Sequence, residues 1–486
     1  MAIRDKILVV GDLMLDRRIE GEMTRISPEA PSPIIRSRAV SSTPGGAGNL
    51  AANLAALYDP VHSRGASKVR VSGILAKDQA GSELFDLLTS SGCAIEPAYC
   101  SLGNTTVKMR VTCGGQQILR IDSQDDWVSN EAGMKQHLTD TLHTGTDIGA
   151  VVAADYGKGA LTPGVVEWIT GACETIGIPL YVDAKPRRNI HLYQHASLFK
   201  CNLREAIELA DKDGIVHAAL AGEPVDQATC AARILRQRYS FGVVVVTLGD
   251  GGCLFHDAAS CGHVKTTPAT VYDVTGAGDT FMAALATAVS RGYGLEESCN
   301  RANIAAGIAV SHHGTYTVGD DEWQDAIEAS RGWEAKVVTL KGATDRAARK
   351  RRQGKKIVLA NGCFDLLHYG HLHLLAEAKA FGDVLFVACN TDDSVRALKG
   401  PQRPVIGQTH RLEALARFAD VDYVLPFEGD VDTVVRALQA DVLVKGAEYE
   451  GTKVPGTDCV ASHGGAVRFA SMAPGYSTSE IIRRPP

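Results

Sequence analysis

Short apolar runs recur along this chain, each set beside an amphipathic stretch of helical spacing, at residues 7–10, 69–74, 150–154, 180–183 and 243–247. Such alternation marks an α/β fold with a mostly parallel, helix-covered sheet. From about residue 330 to 356 it yields to a polar stretch ending in Arg349-Lys350-Arg351-Arg352. It then resumes with strands at 357–360, 384–389 and 442–444. The break predicts one domain over residues 1–330, a linker with a short basic helix over 331–354, and a second, smaller α/β domain over 355–486. The basic run reads as a solvated helix face rather than a nucleic-acid patch. Residues 105–111 depart from the rhythm, since Val107, Met109 and Val111 alternate with Thr106, Lys108 and Arg110, and Gly114-Gly115 leads into residues 117–122. That is a β-hairpin. It cannot bury both faces in a parallel sheet, so it is expected to project as a lid or dimer clasp, with Lys108 and Arg110 on one face.

A formal net charge of −6 argues against nucleic acid or an acidic membrane as partner of the whole chain, and leaves small anionic substrates open. The 12 cysteines include no C-x-x-C pair, which fits reduced thiols in a cytoplasmic protein. No run approaches the roughly 18 apolar residues of a membrane helix. Residues 7–10, closed at once by Gly11-Asp12, read as a first strand and not a signal peptide.

Two glycine-rich stretches carry the chemistry of the first domain. In Asp273-Val274-Thr275-Gly276-Ala277-Gly278-Asp279-Thr280, a turn opens an alanine-rich helical run, so Gly276, Ala277 and Gly278 sit where a helix offers unpaired N–H groups to an anion. Asp279 stands at the mouth of that hole, placed to take a proton from a hydroxyl attacking a phosphoryl group. The plainer alternative is a helix cap after a tight turn. No P-loop sequence occurs. The second stretch, Gly45-Gly46-Ala47-Gly48-Asn49, precedes a helical run, and strand ends in a parallel sheet would bring Asp12, Asp16 and Asn49 together as hydrogen-bonding partners for sugar hydroxyls.

The two stretches, in this order and spacing, resemble the signature motifs of the ribokinase-type carbohydrate kinase family. The resemblance implies ATP-dependent phosphorylation with Asp279 as base, Gly276, Ala277 and Gly278 as anion hole, and Mg²⁺ bridging the phosphates. It places Asn202 and Glu205 near the metal, Thr247, Gly249, Gly252 and Asn303 around the nucleotide, and K⁺ as a possible monovalent cation at Asp273 and Thr275. Gly45, Gly46 and Asn49, with Asp12 and Asp16, fall to the sugar. Within the family, Val10-Gly11-Asp12-Leu13-Met14-Leu15-Asp16, Arg25-Ile26-Ser27-Pro28-Glu29-Ala30-Pro31, Gln116-Gln117-Ile118-Leu119-Arg120-Ile121-Asp122 and Asp155-Tyr156-Gly157-Lys158-Gly159 are similar to heptose 7-phosphate kinases. Asp155 then joins the sugar site. Lys108, Arg110, Lys158 and Lys185 are candidates for holding the distal phosphate.

In the second domain Asn361-Gly362-Cys363-Phe364-Asp365-Leu366-Leu367-His368-Tyr369-Gly370-His371 follows a strand and opens a helix, which puts His368 and His371 near a phosphate-binding helix end. Metal ligation by His368, His371 and His373, or simple turn capping, are the alternatives. The pattern resembles nucleotidyltransferases related to cytidylyltransferases, in which the histidines stabilise charge on the α-phosphate as a substrate phosphate attacks and pyrophosphate leaves. Asn361, Gly362, Phe364, Asp365, Lys399 and Lys445 are then implied to bind the nucleotide, with Ser477, Thr478 and Ser479 capping the last helix against pyrophosphate. Taken together, the fold implied is α/β: a ribokinase-like, mostly parallel sheet with a β-hairpin lid, then a smaller Rossmann-like nucleotidyltransferase domain. The function implied is phosphorylation of a heptose 7-phosphate at the anomeric hydroxyl, then adenylyl transfer from ATP to heptose 1-phosphate. Another sugar phosphate, CTP or GTP as donor, or one inactive regulatory domain are the competing expectations. A homodimer through the lid is expected.

Overall fold

The computed structural model describes residues 4–58, 67–100, 103–123, 131–144, 147–185, 190–211, 222–266, 270–452 and 454–471. The chain forms two compact units that divide between Gln324 and Asp325.

The first unit is built on a nine-stranded sheet. Lys6–Gly11 is an interior strand, parallel to Ile148–Asp155 on one side and Val69–Ser72 on the other. Leu180–Ala184, Leu198–Asn202 and Val243–Thr247 continue the parallel run, and Cys253–His256 with Cys261–Val264 close one edge antiparallel. Ile7 to Val10 are fully buried, as expected of a strand covered on both faces. The helices Ala47–Tyr58 and Ala277–Ser290 are both alanine-rich and almost wholly buried. Small side chains let two such helices approach closely, which brings their N-termini, and with them Asn49 and Asp279, to one end of the sheet. The strand ends Gly11, Asp155, Ala184 and Asn202 lie at that same carboxyl edge, where open α/β sheets bind ligands.

The expected hairpin, Thr106–Cys113 with Gln116–Asp122, is half of a larger lid. Leu13–Ile26 pairs parallel with Thr106–Cys113 and antiparallel with Pro33–Gly46, giving four strands. Few residues of the two extra strands are fully buried, and most of these cluster at one end, so the strands lack the apolar alternation that betrays a half-buried strand.

The second unit has a five-stranded parallel sheet, in the order Tyr423–Phe427, Val384–Asn390, Ile357–Gly362, Val442–Gly446, Ala466–Ala470. Residues 331–354 pack as part of this unit rather than as a bare linker. Val338 donates its N–H to Val424 O, and Ala343 and Ala347 of the helix Leu340–Arg352 are buried against the sheet. The basic run is correspondingly not a solvated face. Arg349 is buried against Asp325 and Glu328 (3.0 and 2.6 Å), Lys350 pairs with Asp325 at 2.7 Å, and Arg351 donates to Leu438 O. Their acidic partners lie upstream in the chain, where no periodicity in the run itself points to them.

Candidate active sites

The glycine turn of the first unit opens the helix Ala277–Ser290 with Gly276 at φ 80°, and no side chain caps the helix start. A Cβ on Gly276 would stand 2.7 Å from Asn49 Nδ2, and one on Gly278 3.1 Å from Lys200 Nζ. Only glycine leaves that approach open. Ala277 and Gly278 share a cavity of about 580 Å³ with Thr247, Gly249, Gly252 and Asn303, so the anion hole and the expected nucleotide residues meet in one place. Asn303 is fixed there by donating to Val264 O at 3.0 Å.

Asp279 accepts hydrogen bonds from Asn49 Nδ2 at 2.8 Å and from the Tyr156 hydroxyl. Asn49 is in turn held by Asn53, whose own amide oxygen accepts the Val318 N–H. Burial raises the Asp279 carboxyl to about 6, against the two hydrogen bonds that lower it; Asp183 adds to the rise and Lys200 opposes it. A carboxylate poised there is a base near neutral pH. Lys200 is 6% exposed and bonded to Asp183 at 2.8 Å; burial pushes its ammonium down, but Asp183 carries it above its ordinary value. Sequence reasoning missed both Tyr156 and Lys200. The signal for Lys200 was a lysine inside the otherwise apolar strand Leu198–Asn202.

Two expected sugar ligands are held by hydrogen bonds within the fold. Asp12 is fully buried, and its carboxylate accepts the backbone N–H groups of Tyr156, Lys158 and Ala160 at 2.8, 3.0 and 2.9 Å. Burial raises its pKa in spite of those bonds. Asp155 is likewise buried, accepting from Gly157 N–H and the Tyr193 hydroxyl, with its carboxyl raised to about 6 by burial and by Asp12. The two carboxylates shape the loop that carries Tyr156 and Lys158. Asp12→Ala is expected to lower unfolding free energy by about 1–3 kcal/mol, the cost of leaving the buried Ala160 N–H without an acceptor; urea unfolding measures it.

Asp16 does face the site, paired with Arg110 at 2.8 Å and crowded by Gly45, where a Cβ would fall 2.7 Å from Asp16 Oδ2. Gly46 adopts φ 56° beneath Met14. Lys108 lies close to Asp16, Lys185 and Arg120: burial depresses its ammonium first, Asp16 opposes that, and the two cations depress it further. Cations packed this closely are the counterpart of a polyanionic ligand. Lys158 and Lys185 line a cavity of about 840 Å³ together with Asn202 and Glu205. Asn202 and Glu205 close a reciprocal capping box at 2.9 Å each way, which commits one Glu205 oxygen to the helix and keeps both side chains at the cavity wall.

The cation expected at Asp273 and Thr275 does not fit. Asp273 already accepts from Thr275 N–H and hydroxyl, from Gly314 N–H and from the Arg18 guanidinium at 3.2 Å. The positive charge there is a side chain.

In the second unit His368 caps the helix Tyr369–Ala380 without a side-chain cap bond, and its ring lies 3.9 Å from that of His371. Burial, with the nearby His368 and Lys399, lowers His371 to about 4; burial also lowers His368. Asn361 Oδ1 and His371 Nδ1 are buried without a hydrogen-bond partner. Buried polar atoms of this kind call for a ligand. Lys445, lowered by burial, lies near Glu448 and Cys363. His373 turns instead to Glu377 and Ser471, and among the described residues no His, Cys, Asp or Glu group forms a metal site. Phe364 is buried at φ 48°, and Asp365 is buried against Arg403 and Val405 N–H, both at 2.6 Å. Their bonds and burial hold the loop in place. Arg411 does similar work, donating to Cys363 O and Asp392. Ser477, Thr478 and Ser479 lie outside the described residues.

A half-buried carboxylate at a glycine-built helix end, beside a nucleotide-sized cavity, and a histidine pair at a second helix end define a carbohydrate kinase joined to a nucleotidyltransferase. Residues 4–322 match the pfkB family carbohydrate kinases, and residues 359–484 the cytidylyltransferase-like family. The chain is 36% identical over 490 residues to the Bifunctional protein HldE of Methylobacillus flagellatus, covering 98% of this chain and 96% of that one. It is 38% identical over 481 residues to that of Methylococcus capsulatus, covering 98% and 97%. It belongs to the family of bifunctional HldE proteins. The fold of the first unit is shared with phosphofructokinase-2 from Escherichia coli, solved in complex with potassium (TM-score 0.55, 21% identity, 68% of this chain and 100% of that one). It is shared also with ribokinase from Thermotoga maritima (TM-score 0.50, 19% identity, 66% and 99%). Among the described residues no helix is long and apolar enough to cross a membrane.

Proposed function

We propose that the first unit transfers the γ-phosphoryl group of ATP to the anomeric hydroxyl of a heptose 7-phosphate, and that the second joins heptose 1-phosphate to AMP from ATP, releasing pyrophosphate. The observation that carries the kinase reading is Asp279, oriented by Asn49 at the start of a glycine-built helix. Asp279 takes the proton of the anomeric hydroxyl, while the N–H groups of residues 276–278 and the buried Lys200 receive the charge of the transferring phosphoryl group. Asp16 contacts the sugar. Lys108, Lys158 and Lys185 hold the distal phosphate. The Mg²⁺ that accompanies ATP neutralises phosphate charge; it keeps most of its waters, so Asn202 and Glu205 would hold it through water.

In the second unit Asn361, His368, His371, Lys399 and Lys445 would surround the α-phosphate, supplying position and positive charge with no covalent intermediate. A phosphatase must act between the two reactions, since the kinase product carries two phosphates. ATP and sugar phosphates are confined by their charge to the cytoplasm, which places the enzyme there. The lid supplies a dimer surface: Gln116–Asp122 is exposed along its whole length, with Leu119 and Ile121 about half exposed.

Mass spectrometry of products from a heptose 7-phosphate, Mg²⁺, a phosphatase and ATP, CTP or GTP tests the whole. ADP-heptose is expected with ATP. Pyrophosphate release with CTP but not ATP would overturn the adenylyl assignment.

A further inference from the structure

We infer that Tyr156 is a positioning residue of the kinase whose hydroxyl stands against Asp279 in place of the sugar hydroxyl until the sugar displaces it. This rests on reading Asp279 as the base. Both carboxylate oxygens of Asp279 are engaged, one by Asn49 and the other by Tyr156. Each oxygen keeps a further lone pair for a substrate, so what matters is which neighbour stands in the path to it. Asn49 is the wrong candidate, because it is buried and pinned by Asn53. Tyr156 can move. It lies on the wall of the large sugar-side cavity, whereas Asp279 lines neither that cavity nor the nucleotide cavity. The tyrosine therefore stands between the base and the space the sugar must occupy.

The surroundings suit a side chain that swings while its backbone stays. Tyr156 N–H is fixed to Asp12 Oδ2 at 2.8 Å, and Gly157 and Gly159 beyond it have open space where a Cβ would be. Lys185 Nζ lies 5.7 Å from the centre of the Tyr156 ring. A distal phosphate that engages Lys185 draws it from the ring, tying recognition of that phosphate to exposure of the base.

The groups facing Asp279 are Tyr156, Asp183, Lys200 and the neutral Asn49. Burial and the neighbouring Asp279, Asp183 and Asp12 keep the Tyr156 phenol protonated far above its ordinary range, so it can only donate. Its bond lowers the Asp279 pKa in the free enzyme. In the sugar complex that bond is gone. The profile of kcat/KM reports free-enzyme groups, and that of kcat reports the complex.

In the full chain, Tyr156→Phe is expected to move the acid limb of kcat/KM up by about one pH unit, the order of effect a hydrogen bond to a carboxylate exerts, and to leave the acid limb of kcat in place. Limbs that move together, or a kcat/KM limb that stays, would overturn the inference. If Tyr156→Phe does not fold, 3-fluorotyrosine in place of Tyr156 provides a stronger donor of nearly the same shape. It should move the kcat/KM limb down, and an unmoved limb again defeats the idea. Asp279→Asn separates the two layers: an active Asp279→Asn enzyme refutes the base itself, whereas an inactive one beside an unmoved Tyr156→Phe limb refutes only the role of Tyr156.

Discussion

Replacing Asp279 by Asn is expected to lower sugar-dependent ATP consumption by about 10²–10⁴-fold, the range a positioned general base supplies. Pyrophosphate formation from a supplied heptose 1-phosphate should continue at the wild-type rate. The substitution keeps the shape and burial of the side chain but removes its capacity to accept a proton. The introduced amide can present its oxygen to Asn49 and its NH2 to the Tyr156 hydroxyl, so nucleotide binding should persist. The wild-type pH dependence follows from the same carboxyl. With a folded value of about 6, raised by burial, the base is ionised above pH 6 and protonated below it. Kinase kcat/KM should therefore fall about tenfold per unit as pH drops below 6. A flat profile between pH 5 and 7 would remove Asp279 from the role. Coupled assays for ADP and for pyrophosphate read both activities on the same preparation.

Replacing His371 by Ala should have the mirror effect. Adenylyl transfer is expected to fall by about 10²–10³-fold, the loss seen when one donor to a developing negative charge is removed, with kinase turnover unchanged. His371 is held neutral without ligand, at about 4, by burial and by its neighbours His368 and Lys399. A triphosphate placed beside it reverses that balance, since an anion favours the charged imidazole. ATP binding near pH 6 should then draw a proton from solvent, and His371→Ala should take up less. Calorimetry in two buffers of different ionisation heat measures the difference. Equal uptake by both proteins would mean that His371 does not meet the phosphates.

Much of this was legible in the sequence because the relevant signals are local. The strand 7–10, the helix start after Gly276 and the histidine pair each declare themselves within a dozen residues. What escaped was long-range. Asp12 looks like a ligand because it ends a strand, and only the fold reveals three backbone N–H groups, from residues 156 to 160, already bound to it. Phe364 and Asp365 sit inside a recognisable motif, yet only the fold shows that both are buried. Arg18, whose charge meets Asp273, is separated from it by most of the first unit. Tyr156 was quoted in a motif without a role, since nothing in five residues says that its hydroxyl reaches Asp279. Pairings of this kind depend on which strands lie side by side, and no periodicity encodes that.

The lid strand Pro33–Gly46 runs straight into the helix Ala47–Tyr58, and Asn49 is the third residue of that helix. No loop intervenes to absorb movement. A displacement of the strand is thus transmitted along a stiff rod to the amide that orients the base. On the proposed reading, closing the lid over the sugar and aligning the proton acceptor become one mechanical act. Mutations far out on the lid should then register in turnover as well as in affinity.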